Sequence, residues 1–111
     1  MICIILGRYI YVTDFNLHTI FRVPIDFRSY EKFVEEDTLK RPQGITVDDC
    51  GNILVCDSRN NSVKVISKEG KMIKEIRCVG SKGALELPLD IEIMKGGYVA
   101  LLDMNGRVRL F

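Results

Sequence analysis

The chain repeats itself. Asn52-Ile53-Leu54-Val55-Cys56-Asp57 has a counterpart forty-three residues earlier, Tyr9-Ile10-Tyr11-Val12-Thr13-Asp14. A second counterpart stands forty-six residues later, Tyr98-Val99-Ala100-Leu101-Leu102-Asp103. Each is a run of apolar or strand-forming residues closed by Asp. A shorter run precedes each: Ile2-Cys3-Ile4, Ile45-Thr46-Val47 and Ile91-Glu92-Ile93, with Gly7, Gly51 and Gly97 in the intervening turns. Pro42 and Pro88 open the second and third copies. Such a period constrains the fold more than composition does. Each copy must be one supersecondary unit that buries its apolar faces against its neighbours.

The rest of each copy continues the pattern. After Asp14, Asp57 and Asp103 come polar turns, then Thr19-Ile20-Phe21-Arg22-Val23, Ser62-Val63-Lys64-Val65-Ile66 and Arg107-Val108-Arg109-Leu110-Phe111. Copy two adds a fourth strand from Met72 to Cys78, and copy one an equivalent from Tyr30 to Glu35. A helix over Glu31 to Lys40 is rejected, because Phe33, Val34 and Leu39 continue no helical stripe. Four short strands with Gly, Asn and Asp at the joints make antiparallel hairpins. Ile53 to Cys56 is apolar on both faces, as a strand buried between stacked sheets must be. Lys64 makes the third strand more mixed, and the fourth is more polar still, which orders the strands from inside to outside. Four strands per 43–46 residues is the period of a β-propeller blade. The expected fold is all-β: a partial β-propeller of about two and three-quarter blades, each of four antiparallel strands. Its blades are residues 1–39, 40–86 and an incomplete 87–111.

Composition narrows the function. Sixteen Lys and Arg against fifteen Asp and Glu give a net charge of +1, which argues against a general polyanion-coating protein. The single imidazole, His18, rules out any site within this chain that needs two. Cys3, Cys50, Cys56 and Cys78 contain no C-x-x-C pair. Cys50 and Cys56 flank one strand, roughly 15–20 Å apart and too far to bridge. Reduced thiols packed as small hydrophobes, and no run long enough to span a membrane, make cytoplasmic the expected location.

Copy two resembles the NHL repeat. The markers are Pro42-Gln43-Gly44-Ile45-Thr46-Val47-Asp48, then Gly51-Asn52-Ile53-Leu54-Val55-Cys56-Asp57, then Asn60-Asn61 and Val63-Lys64-Val65. Copy three departs, with Asp90 in the place of Gly44 and Met94 in that of Asp48; copy one lacks the leading Pro-x-Gly. The resemblance implies a six-bladed propeller, which takes roughly 260–280 residues at this period. The remaining blades are expected from upstream sequence or from another chain, and this segment is expected to be the C-terminal part. Alone it leaves two blade faces wet, so poor solubility or self-association is expected. The resemblance also implies a binding module, found in animal proteins at the end of tripartite-motif (TRIM-NHL) chains. Any ubiquitin-ligase activity there belongs to RING and B-box domains outside this segment. Tyr11-Val12-Thr13-Asp14 is similar to the signature of extracellular YWTD receptor propellers, an alternative that copies two and three do not support. An amidating-lyase-like propeller is third; those enzymes depend on metal-ligating histidines.

Loop geometry then places a partner-binding face. Turns between second and third strands share one face with the connections between blades. That face collects Lys40, Arg41, Arg59, Lys82 and Arg107 with Asn60, Asn105, Phe15 and His18, against Glu36, Asp37 and Glu86. The opposite face carries Arg8, Arg28, Lys68, Lys71 and Lys95 against Asp26, Asp48, Asp49 and Glu69. Cations with an aromatic suit a protein surface or single-stranded RNA, whose phosphates need charge and whose unstacked bases need flat partners. Duplex DNA and membrane are not expected partners. Asp14, Asp57 and Asp103 read as structural turn residues, since an Asp opening a turn accepts backbone N–H bonds. No catalytic residue, metal site or cofactor is expected, because no phosphate loop, nucleophile elbow or Cys–His motif occurs.

Overall fold

The computed structural model describes residues 2–77 and 86–110. It is all-β, in three antiparallel sheets whose strands follow chain order. Blade 1 is β1 (Ile2–Leu6), β2 (Tyr9–Asp14), β3 (Thr19–Pro24) and β4 (Glu31–Lys32). Blade 2 is β5 (Pro42–Val47), β6 (Ile53–Asp57), β7 (Ser62–Ile66) and β8 (Met72–Arg77). Blade 3 is β9 (Pro88–Ile93), β10 (Val99–Asp103) and β11 (Val108–Leu110). A 3-10 turn over Ser58–Asn60 joins β6 to β7. The expected fourth-strand residue Cys78 lies outside the described residues.

Two apolar layers hold the sheets together. Tyr11, Ile20, Phe33 and Leu39 from the first unit meet Ile45, Ile53, Val55 and Ile66 of blade 2. On its other face, Leu54, Cys56 and Val63 meet Ile91 and Leu101 of blade 3. All five residues of β6 are buried, as a strand covered on both faces requires. Burying one such Val or Ile contributes about 1.5–3 kcal/mol, so blade 2 is the anchor of the fragment. The first strands converge: β5 packs against both β1 and β9. The fourth strand, β8, is largely exposed.

Gly44 marks that convergence. A Cβ there would stand 2.5 Å from the Asp90 Cα and 2.9 Å from the Leu89 carbonyl oxygen. Only hydrogen fits in the gap, which gives the Pro-x-Gly of copy two a packing reason.

The fourth strand of blade 1 is shorter than the sequence suggests. Tyr30 to Glu35 was expected, but only Glu31 and Lys32 pair with β3, opposite Arg22 and Phe21. The cause is the next pair of residues. Phe33 and Val34 turn into the core, where the Phe33 ring meets Tyr11 edge-on at 4.9 Å. Burying two large apolar side chains outweighs extending an exposed edge strand.

Candidate functional site

The blades are tied together by a hydrogen-bond pattern that occurs twice. The last residue of the β2–β3 turn, His18, is left-handed (φ 56°), and its Nδ1 accepts the Arg41 N–H at 3.0 Å. In blade 2 the same place holds Asn61 (φ 48°), whose Oδ1 accepts the Leu87 N–H at 2.7 Å. Arg41 and Leu87 are themselves left-handed and stand directly before Pro42 and Pro88. Each connection is held from the other side as well. Asp57 accepts the Lys40 N–H at 2.6 Å, and Asp103 accepts the Glu86 N–H at 3.3 Å. Asx side chains tolerate the left-handed region and reach nearby backbone, which explains Asn61. His18 does the same work with a ring nitrogen that must be unprotonated to accept.

The three aspartates therefore differ. Asp14 Oδ1 accepts the Asn16 and Leu17 N–H groups of its own turn, both at 3.0 Å. Asp103 Oδ1 holds its own turn through Asn105 and Arg107, and its Oδ2 takes the Arg107 Nε at 2.9 Å. Burial pushes the Asp103 carboxyl up, but the N–H groups of Arg107 and Glu86 and the Arg107 guanidinium outweigh it and hold it below the ordinary range. Asp57, which precedes the 3-10 turn, does not cap it with its side chain. It receives Lys40 from the interblade connection, the Asn60 side chain at 2.7 Å, and the Lys64 ammonium. Lys64 is 5% exposed and also donates to the Thr38 carbonyl at 2.7 Å. A buried ion pair is tolerated only when its remaining hydrogen-bonding groups are satisfied, and here both partners are tied to backbone of the connection.

That scaffold presents a groove of about 260 Å³ at the junction of blades 1 and 2, lined by Phe15, Asn16, His18, Lys40, Arg41 and Arg59. Five of the nine expected face residues meet here. The Arg41 guanidinium lies 5.8 Å from the Phe15 ring centroid, within cation–π range. Among the described residues, no carboxylate lies within 4 Å of the charged atoms of Lys40, Arg41 or Arg59. The other four residues stand elsewhere. Asn60 is turned to Asp57, and Arg107 is paired with Asp103, both by side-chain bonds. Asn105 sits in the β10–β11 turn of blade 3, and Lys82 lies outside the described residues. Asn16 lines the groove although it is not among the nine. Lys64 is the counter-ion that reading single residues passes over, and the clamp role of Asn61 shows only when it is aligned with His18 by their place before the third strand.

Among the described residues no group of three or more His, Cys, Asp or Glu could hold a metal, and no helix is long and apolar enough to cross a membrane. Cys3 and Cys50 are exposed free thiols, and Cys56 is buried.

Stacked antiparallel sheets with converging first strands define a β-propeller, and similar solved structures agree. A catalytically inactive variant of virginiamycin B lyase from Staphylococcus aureus, crystallised with quinupristin, superposes with a TM-score of 0.71 at 18% identity, covering 98% of this chain and 39% of that one. A streptogramin B lyase structure gives 0.71 at 14% identity, with the same coverage. Residues 39–66, from the blade 1–2 connection through β7, match the NHL repeat. The UPF0285 protein MK0078 of Methanopyrus kandleri is 39% identical over 56 residues, half of this chain and 17% of that protein. The chain thus spans well under half the length of each of these relatives.

Proposed function

We infer that this segment belongs to a non-catalytic binding propeller, and that the groove at the blade 1–2 junction takes a single-stranded RNA segment. The observation that carries the reading is the trio Lys40, Arg41 and Arg59 beside Phe15, free of carboxylate partners among the described residues. Cations with no internal counter-ion favour phosphates, and an aromatic ring face accepts an unstacked base. In a TRIM-NHL-like protein such a groove would bring its partner to domains elsewhere in the chain. The lyase reading has less to stand on. The likeness to those enzymes is one of fold, and the His18 Nδ1 is taken up in accepting the Arg41 N–H.

Fluorescence anisotropy with short labelled RNA tests this. Three phosphate contacts give a log–log salt slope of roughly −2, at about −0.7 per contact for a single strand. Arg59→Ala and Arg41→Ala each reduce the slope by about 0.7, while Lys95→Ala on the opposite face leaves it unchanged. RNA affinity that ignores both arginines overturns the RNA assignment and leaves an acidic protein partner as the occupant.

A further inference from the structure

Besides its three cations, the groove at the blade 1–2 junction holds two neutral polar groups. The first is on His18. A neutral imidazole has one nitrogen that donates and one that accepts. Nδ1 accepts the Arg41 N–H at 3.0 Å, so the proton of the neutral ring sits on Nε2. The two nitrogens lie on different edges of the ring, and the bond to the connection turns the Nε2 edge away from it. His18 is exposed and lines the groove, and among the described residues nothing accepts from Nε2. The clamp thus fixes the tautomer and sets an uncharged N–H donor at the groove. Clamping alone does not require a histidine, since Asn61 does it for Leu87. What the imidazole adds is the Nε2–H, one atom farther out than an amide nitrogen reaches.

The second group is on Asn16. Its backbone N–H is given to Asp14, but among the described residues its side-chain amide makes no hydrogen bond. Lys40, Arg41 and Arg59 can only donate, Phe15 does neither, and the acceptor of His18 is occupied. Asn16 Oδ1 is therefore the one uncommitted side-chain acceptor among the six lining residues.

Phosphate oxygens take donors only, and the cations supply them. A ribose 2′-hydroxyl is different: it both donates and accepts, and every RNA residue carries one. A neutral donor and a free acceptor sharing one groove match that group. We propose that His18 Nε2–H and Asn16 Oδ1 hold a ribose 2′-hydroxyl and so make the groove prefer RNA to single-stranded DNA. This rests on the reading of the groove as a nucleic-acid site; its cations and aromatic ring alone would accept either strand.

Anisotropy with one labelled oligonucleotide, made as RNA and as DNA of the same sequence with uracil for thymine, tests it. The RNA binds roughly tenfold more tightly, the worth of one to two neutral hydrogen bonds. His18→Asn, which keeps the Arg41 clamp, and Asn16→Ala each weaken RNA binding about fivefold and leave DNA binding unchanged. Neither alters the salt slope, because a neutral contact releases no counterion, and that separates them from Arg41→Ala and Arg59→Ala. Equal affinity for the two strands, with the arginine-dependent slope intact, overturns the hydroxyl assignment and leaves the strand-binding groove standing. A loss on Asn16→Ala shared by RNA and DNA assigns the amide to a base edge and overturns it too. So does an RNA preference that survives both variants. Binding that depends on neither arginine removes the groove as the site, and this inference with it.

Discussion

Gly44→Ala is the sharpest structural perturbation the fold offers. The added methyl would sit 2.5 Å from the Asp90 Cα and 2.6 Å from its Oδ1. Carbon atoms rest at about 3.5–4.0 Å, so β5 and β9 must separate by roughly 1 Å at the line where blades 2 and 3 are closest. Overpacking of this kind costs about 1–3 kcal/mol, and the upper part of that range applies because the obstacle is backbone. Ala also restricts the unfolded chain, which returns about 0.4–1 kcal/mol. The net loss is about 2 kcal/mol, or roughly 8 °C in Tm for a domain of this size. Urea unfolding followed by far-ultraviolet circular dichroism reads it as a lower midpoint at unchanged slope. A neutral or stabilising Gly44→Ala would refute the close approach of the first strands.

Three further outcomes follow from named contacts. Asp57→Asn leaves the Lys64 ammonium buried without its main counter-ion and costs about 3–5 kcal/mol, and the double variant with Lys64→Met loses less than the two single losses added, as a double-mutant cycle would show. His18→Asn keeps the clamp on the Arg41 N–H, as Asn61 does in blade 2, and holds stability within about 0.5 kcal/mol; His18→Ala loses about 1 kcal/mol by urea titration. The Asp103 carboxyl is held below its usual 3.8, so its stabilisation is fully present above that pH and is lost as pH falls through the lower folded value. The opening free energy of the β10–β11 hairpin, taken from amide exchange after division by the intrinsic rates, should therefore be flat near neutrality and fall toward that of Asp103→Asn only in acid.

Much of this architecture was legible because the same sterics repeat. Gly51 and Gly97 occupy left-handed turn positions in successive copies, and Pro42 and Pro88 open equivalent strands. Strand identity followed from apolar runs closed by Asp. What escaped was set by contacts distant in sequence. The truncation of β4 depends on Phe33 finding Tyr11, and the burial of Lys64 depends on Asp57 and Thr38 facing it. The spread of the face residues was equally hidden. Arg107 carries a charge that looks available in sequence, yet a carboxylate four residues earlier takes it. Lys40, Arg41 and Arg59 come together because the connection before Pro42 is clamped from both sides, a tie visible only when two turns are compared.

The central claim is that blade 2 is sandwiched between two like sheets. Residue-resolved hydrogen exchange tests it most directly, because β2, β6 and β10 are each the second strand of a sheet and each is paired on both edges. Hydrogen bonding alone would protect them alike. The account predicts that Leu54, Val55 and Cys56 exchange slowest, through the largest opening free energy in the chain. Equal protection of the three strands, or faster exchange in β6, would contradict it.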